Sequence, residues 1–449
     1  MIADSAEPKG GRSPSGKIQA IIIEEADHPI RPGDIEREAL KVLYRLRDAG
    51  FVAYLVGGGV RDLYLGKQPK DFDISTSARP GQLRRLFRNS RTIGRRFRLV
   101  QVFYRGNKII EVSTLRSQSE YDIRDSKVLP SNNTFGTLEE DAFRRDLTIN
   151  SLFYEIEHNT IIDYVGGVAD LNDGIVRIVG DPEVRITRDP VRMLRAVRHA
   201  ARTGFSIEER TWQAIVAQRD KLNLCPTSRI RDELLKDLVS GCSRPWAEKC
   251  VQSGILFTLF PFYESLLSGD REKQQLYSIL DVIDRLHLDS GEQQVRLPEY
   301  MLFAAILFPW IEKEFDLFNR EVKGGGYRTL LTEIRAALEE VICTRFNIKR
   351  SAKEAITTLY VNMPSFQLYR KKKNWPKWLK KKSYFNDCIK FSALIEEADG
   401  GPKAAETLFS GTPKQDNVTL HGPSGGGGRG RRGGNPVFTS QKGGVFGLR

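Results

Sequence analysis

Residues 54–76 read YLVGGGVRDLYLGKQPKDFDIST. The apolar run VAYLV at 52–56 breaks at Gly57, Gly58 and Gly59, and VRDLYLG then has the length of a helical turn or two. DFDIS returns to a strand pattern. Side chains two apart on a strand point to the same face, so Asp71 and Asp73 are expected side by side. Neighbouring carboxylates repel unless a cation lies between them, which points to a divalent metal such as Mg²⁺. Glycines between a strand and a helix let backbone N–H groups approach a phosphate closely. A glycine turn or an acid pair alone carries little weight; within one strand–turn–helix–strand unit they suggest phosphoryl or nucleotidyl transfer. Arg61 on the emerging helix is a candidate donor to a triphosphate, with an exposed helix charge as the alternative.

Upstream, IEREALKVLYRLRDA at 35–49 places Ile35, Ala39, Val42, Leu43 and Leu46 on one apolar stripe and ends at Gly50, as a helix does. Downstream come a short helix begun by Pro80 and the strands RLVQVFY (98–104) and KIIEVST (108–114). The order helix, strand, helix, strand, helix, strand, strand describes a compact α/β head. Glu111, an acid among apolar neighbours, is either a third acid aimed at Asp71 and Asp73 or a polar position on an edge strand. Residues 117–136 lose periodicity and predict a long mobile or functional loop. RRDLTIN at 144–150 predicts a half-buried helix on which Asp146 and Asn150, four apart, share a face. That pair could hold a ribose and bring Asp146 near the metal, or simply bond to each other.

From Val168 to about residue 398 the pattern stays helical. RDPVRMLRAVRHAAR at 188–202 separates Arg188, Arg192, Arg195 and His199 from an apolar face, with Arg198 at the far edge. The basic face is either solvated surface or, with Asp189 at its start, a planar donor–acceptor set suited to a base edge. RKKKNWPKWLKKK, Arg370 to Lys382, interleaves eight positive charges with Trp375 and Trp378, a composition that fits a single-strand RNA track better than a solvated helix end. The last fifty residues turn low-complexity, with GPSGGGGRGRRGG at 422–434, a weakly selective RNA contact at most.

The 449 residues leave room for two or three domains, and a net charge of +13 concentrated in patches favours a polyanionic partner, nucleic acid before membrane. Five cysteines without a C-x-x-C pair argue against structural zinc and for reduced thiols in the cytoplasm. The first twenty residues lack the apolar region of a signal peptide, and residues 1–16 are expected to be disordered. Met301–Ile311 is half a membrane span interrupted by Pro309, hence a core helix and not a transmembrane segment.

GGGVRD…DFDIST, RRDLTIN, DYVGG and DPVRMLRAVR, in this order, resemble the signature motifs of class II nucleotidyltransferases, which include tRNA CCA-adding enzymes and bacterial poly(A) polymerases. The match covers roughly residues 35–260. The resemblance implies an α+β protein: a β-polymerase-like head, then all-α neck, body and tail domains. It implies transfer of a nucleotide to an RNA 3′-hydroxyl with two Mg²⁺ ions. Asp71 and Asp73 match the metal-binding carboxylates. Gly58 and Arg61 match triphosphate contacts, and Arg145, Asp146 and Asn150 match the ribose motif. In the poly(A) branch the Asp146 position is also a third catalytic acid, a role for which Glu111 competes. Asp189 and Arg192 match the pair that reads the incoming base, with Arg195 and Arg198 as neighbouring contacts. IGRRFRLVQV at 93–102 resembles the poly(A) branch, whereas Thr92 and Arg188 depart from the family pattern.

The expected organisation is an extended or disordered segment at 1–34, the head at 35–165, a nucleotide-selecting neck at 166–260, a helical body and tail at 261–398, and a low-complexity tail at 399–449. The expected activity is template-independent addition of AMP from ATP to RNA 3′ ends in the cytoplasm. A tRNA nucleotidyltransferase adding C, A or CCA is the alternative, and a non-catalytic RNA-binding protein on the same fold is the alternative of another class. The expected partners are RNA 3′ ends and RNA-decay proteins, not DNA.

Overall fold

The computed structural model describes residues 19–94, 98–117, 135–288, 297–320, 324–372 and 374–409. Helix α1 (Arg37–Asp48) buries Ala39, Val42, Leu43 and Leu46, the stripe spelled out by its sequence. Its apolar face lies on a sheet of eight described strands: β1 (Ile21–Ile23), β2 (Ala53–Val56), β3 (Asp73–Thr76), β4 (Ser90–Ile93), β5 (Leu99–Phe103), β6 (Ile109–Thr114), β7 (Phe153–Glu155) and β8 (Thr160–Asp163). Their spatial order is β1-β8-β7-β2-β3-β6-β5-β4. Helix α2 (Gly58–Tyr64) joins β2 to its antiparallel neighbour β3. β3 and β6 run parallel, which requires a crossover; α3 (Pro80–Leu86) and the β4–β5 hairpin supply it.

Burial alternates along β5 and β6. Val100, Val102, Ile110 and Val112 face the core, whereas Leu99, Gln101, Phe103, Ile109, Glu111 and Ser113 take the other face. That second face is the one carrying the acids.

Three expectations change here. Part of the segment assigned to 1–34 belongs to the head sheet: β1 pairs with β8, and His28 and Ile30 are buried. β4, whose SRTI sequence shows no clear alternation, is an edge strand the pattern missed. RRDLTIN is not one helix. Helix α4 (Leu138–Arg144) stops as Arg145 turns extended, and Thr148–Asn150 forms a separate 3₁₀ turn. Tertiary pairing draws the chain out of helix: Leu147 bridges Ile178, Val179 N–H donates to the Asp146 carbonyl, and Thr148 N–H donates to that of Arg177. Asp146 and Asn150 therefore do not share a helical face.

Beyond the head follow α5 (Gly167–Asp173), α6 (Pro182–Arg188), α7 (Val191–Thr203), α8 (Glu209–Gln218), α9 (Thr227–Leu238) and α10 (Ser243–Ser253). The helix expected over 188–202 is split: Asp189 leaves helical geometry (φ −149°, ψ 86°) just before Pro190, as pre-proline sterics favour. Longer helices complete the body, among them Glu299–Phe315, in which Met301–Ile311 is wholly buried, and Arg350–Lys371. No described helix is long and apolar enough to cross a membrane. The five cysteines are free thiols.

The basic segment 370–382 divides. Trp375 packs against Phe366 and Phe385, at 5.3 and 5.4 Å between ring centroids, and Arg370 pairs with Glu396. Trp378 is 56% exposed and is flanked by exposed Lys377, Lys380, Lys381 and Lys382. One tryptophan is therefore core and the other is available to a ligand. Most of the 117–136 loop, residues 95–97 and the Gly/Arg-rich tail lie outside the described residues.

Candidate active site

The glycine turn meets the acids at the end of β2. Gly57 holds φ +71° and ψ −137°, a conformation only glycine adopts readily. Gly59 packs so that an added Cβ would lie 3.4 Å from the Asp71 carbonyl oxygen, which brings the start of α2 against the acid segment. β3 begins at Asp73, so Asp71 stands just before the strand, and both acids are exposed. Asp73 pairs across β3 and β6 with Glu111, whose Oε1 accepts a 2.9 Å hydrogen bond from Gln101 Nε2 on β5. Surrounding protein desolvates the Asp73 carboxylate even though solvent reaches it. That effect, with the charges of Glu111 and Asp71, pushes its carboxyl up to about 6 against the pull of Arg145.

Arg145 sits behind this cluster. Its Nε and Nη2 donate to Asp141 Oδ2 at 3.1 and 3.0 Å, Nη2 also reaches Ser75 Oγ at 3.2 Å, and its guanidinium lies over the Phe153 ring. Asp141 is fully buried; burial alone would raise its carboxyl, but Arg145 and Arg144 outweigh that and hold it below the usual range. The carbonyls at the end of α4 are capped by Arg185 Nη2, 2.9 Å from Arg144 O and 2.5 Å from Arg145 O.

DYVGG sets the 3₁₀ turn. The Asp163 carboxylate accepts from the N–H groups of Val165, Gly166 and Val168. A Cβ on Gly167 would lie 2.3 Å from the Thr148 carbonyl oxygen, so the residue must be glycine for the turn carrying Asn150 to dock.

Arg61, expected to point at a triphosphate, is instead 3% exposed. Its Nε and Nη2 donate to Asp62, and Nη1 donates to Asn150 Oδ1 at 2.6 Å and to His199 Nδ1 at 3.1 Å. Burial, reinforced by Arg61, Arg198 and Arg202, holds the His199 pKa well below the ordinary histidine value. The neutral imidazole accepts from Arg61, because a guanidinium can only donate. Arg61 thus ties α2, the 148–150 turn and α7 together, and Gly58 rests on it with 3.4 Å from a built Cβ to Nη2.

Asp146 is turned towards α7. Arg192 Nε donates to its Oδ1 at 2.8 Å and Arg195 Nη1 bonds its Oδ2. Burial opposes ionisation, but the two guanidiniums outweigh it and hold Asp146 far below the usual carboxylate range. Arg195 also pairs with Glu233, whose carboxyl is held at about 2: burial pushes it up, and Arg195 with Arg198 more than reverse this. Arg198 is 9% exposed and bonded to Glu233 and Asp237 of α9. Asp189 pairs with Arg229 at 2.8 Å, and Arg192 also donates to the Arg185 carbonyl.

Of the residues expected at the site, the structure brings Asp71, Asp73, Glu111 and Arg145 around the acid cluster, with Gly58 at the start of α2 beside Arg61. It gathers Asn150, Asp146, Arg192 and Arg195 beside α7. Two expectations are corrected on geometry: Arg61 has its donors hydrogen-bonded inside the protein, and Arg198 lies in a buried ion-pair cluster. Asp189 and Arg192 are joined through backbone, Arg192 N–H to Asp189 O, and not side chain to side chain. Sequence reading gave no site role to Asp141, Gln101, Arg229 or Glu233, and placed His199 only as part of the basic face of the 188–202 helix; the i, i+4 spacing of Asp141 and Arg145 was the one local signal for the others.

Among the described residues no three acidic, histidine or cysteine side chains already converge on a point that would hold an ion. The donor set nevertheless fits a hard divalent cation: all-oxygen ligands from Asp71 and Asp73, a third carboxylate in register, and an Asp73 carboxyl raised by desolvation and by the neighbouring negative charges of Glu111 and Asp71.

An acid-bearing mixed sheet, with a glycine turn beside the acids and arginine-rich helices packed against the head, defines a nucleotidyltransferase of the β-polymerase-like type. Residues 53–177 match the family model "Poly A polymerase head domain", and residues 204–267 match "Probable RNA and SrmB- binding site of polymerase A". Poly(A) polymerase I of Escherichia coli O6:H1 is 42% identical over 321 residues, 69% of this chain and 68% of that protein. A CCA-adding enzyme of Lactobacillus helveticus is 44% identical over 213 residues, 47% of this chain and 52% of that protein. Among solved structures, the Bacillus stearothermophilus CCA-adding enzyme in complex with CTP is 25% identical with a TM-score of 0.50, covering 83% of this chain and 80% of that one. The chain belongs to the class II nucleotidyltransferase family of poly(A) polymerases and CCA-adding enzymes.

Proposed function

We infer that the chain adds AMP from ATP to RNA 3′ ends without a template. The observation that carries this reading over its relatives is extent: the match to poly(A) polymerase I runs through 69% of the chain, whereas that to the Lactobacillus CCA-adding enzyme stops at 47%. The 3′-hydroxyl oxygen forms a bond to the α-phosphorus, the bond from that phosphorus to the pyrophosphate oxygen breaks, and the hydroxyl proton passes to solvent water. Asp71 and Asp73 would hold two Mg²⁺ ions, which when bound activate the hydroxyl and stabilise the leaving pyrophosphate.

Glu111, steadied by Gln101, is the third acid in this reading, and Asp146 serves the joint between head and α7. The Gly57–Gly59 turn cradles phosphate by backbone N–H. Arg145 moderates the acid cluster, and Asn150, held by Arg61, faces the ribose. Arg192 and Arg195, ordered by Asp146, present the adenine-reading surface together with Asp189. Trp378 and its lysines contact the RNA behind its end. The division into a head up to 165, a neck at 166–260 and a helical body and tail beyond belongs to the same reading, as does a cytoplasmic site of action, which five free thiols support.

The test supplies labelled RNA primers and each nucleotide singly with Mg²⁺. Long ladders with ATP on unrelated RNAs are expected. One to three additions restricted to tRNA ends would replace the reading with CCA addition. No pyrophosphate release with any of the four nucleotides would leave a non-catalytic RNA-binding protein.

A further inference from the structure

We propose that the acid-bearing face of β6, β5 and β4, open among the described residues, is the platform on which the 3′-terminal nucleotides of the RNA lie, with Phe103 as a stacking surface and Arg91 as a phosphate contact. This rests on the reading above. Register places the residues. Asp73, Glu111, Gln101 and Arg91 form one continuous row across β3, β6, β5 and β4. At about 4.8 Å per strand, Arg91 lies about 14 Å from Asp73. The next row holds Ile109 opposite Phe103, and Asp71, two residues before Asp73 at the start of β3, is exposed with buried Phe72 between them. These side chains share the acid-bearing face, because residues two apart on a strand point the same way.

Ile109 is 43% exposed and Phe103 36%, and Arg91 is exposed with no ion pair to a described residue. A single exposed apolar residue needs no explanation. A paired aliphatic and aromatic side chain on the catalytic face, one row from an exposed arginine on the edge strand, is different. Between Asp73 and Glu111 the sequence holds ten lysines and arginines and no acid, a charge balance that suits a polyanion.

Direction follows from in-line displacement. The glycine turn and the arginine-rich helix α7 place the triphosphate and base on the β2 side of the acids. The attacking 3′-oxygen must come from opposite the leaving pyrophosphate. In the order β2-β3-β6-β5-β4, that side is β6 to β4. Bases stack on aromatic rings presented by a sheet without sequence preference, which suits a primer of any sequence.

The test uses the full-length protein and the variants Phe103→Ala, Phe103→Trp and Arg91→Ala. Two measurements are made: KM for an oligoadenylate primer and for ATP, and, in an Asp71→Ala background, affinity for the same oligomer by fluorescence anisotropy. Phe103→Ala and Arg91→Ala are expected to raise primer KM and oligomer Kd by about 10-fold each, with ATP KM within 2-fold of wild type. Phe103→Trp is expected to retain wild-type values. A photoreactive base at the penultimate primer position should crosslink to β5. Primer KM and oligomer affinity unchanged in both truncated variants, or a crosslink to the α7–α9 helices instead, would overturn the platform. Binding and crosslinking do not require turnover, so failure of the adenylylation reading is seen separately, as absence of Mg²⁺-dependent transfer by the unsubstituted protein.

Discussion

Replacing Asp146 with Asn separates chemistry from architecture. In the structure Asp146 accepts from Arg192 at 2.8 Å and from Arg195, with side-chain exposures of 23, 12 and 31% for the three residues. Charge-assisted bonds of this kind are each worth about 1.5–3 kcal/mol, less where solvent screens them. An amide keeps one acceptor but turns an N–H₂ donor towards a guanidinium, and it leaves two arginines without their shared counter-ion. The net loss is expected to be about 2–4 kcal/mol, a fall in Tm of about 5–10 °C. Glu111→Gln keeps volume and an acceptor for Gln101 while removing only charge. It should leave Tm within about 2 °C and lower kcat by at least about 100-fold. Differential scanning fluorimetry and primer extension at 20 °C, below both melting points, measure both. An Asp146→Asn protein that melts like wild type yet transfers no AMP would return Asp146 to the acid cluster. A fully active Glu111→Gln protein would remove Glu111 from it.

Other outcomes follow from the same geometry. Asp71→Ala and Asp73→Ala should each abolish transfer while circular dichroism shows an intact fold, because both acids are exposed and carry no core packing. Gly167→Ala should destabilise the protein by more than about 2 kcal/mol and raise ATP KM, since the new Cβ collides with the Thr148 carbonyl beneath the Asn150 turn. The Glu233 carboxyl lies at about 2 in the fold against an ordinary 4.5. A depressed folded-state pKa adds stability that is complete above 4.5 and is lost as pH falls towards 2. The difference corresponds to about 3 kcal/mol, so urea unfolding of wild type should weaken across that window, while Glu233→Gln should be weaker at pH 7 and flatter below 4.5. Removing divalent cations with EDTA should stop transfer and leave Tm nearly unchanged.

Local pattern was enough where a residue's task is set by its neighbours in the chain. The α1 stripe, the alternation of β5 and β6, the turn at Gly57 and the buried run 301–311 all follow from period and backbone sterics. So did the placing of Asp71 and Asp73 on one side of the chain. Where Glu111 and Asp146 lie relative to Asp73 could not be read that way. Glu111 reaches Asp73 through a parallel pairing that spans a helix and a hairpin, a non-local register that no local period encodes. Asp146 is taken away by the bridge of Leu147 to Ile178 and by two arginines some fifty residues on.

The arginines illustrate the same division. By sequence, Arg61, Arg192, Arg195 and Arg198 are all expected to contact the nucleotide, at the triphosphate, the base or beside it. Packing makes Arg61 a buried clasp between Asp62, Asn150 and His199, closes Arg198 onto Glu233 and Asp237, and leaves Arg195 partly open. Sequence alone determined that the protein carries an acid pair beside a glycine turn, within the ordered motifs of a nucleotidyltransferase family. Only the tertiary structure decided which acids stand together and which arginines are spent inside the fold, because a charge is neutralised by whatever lies within a few ångströms of it, and those neighbours come from distant parts of the chain.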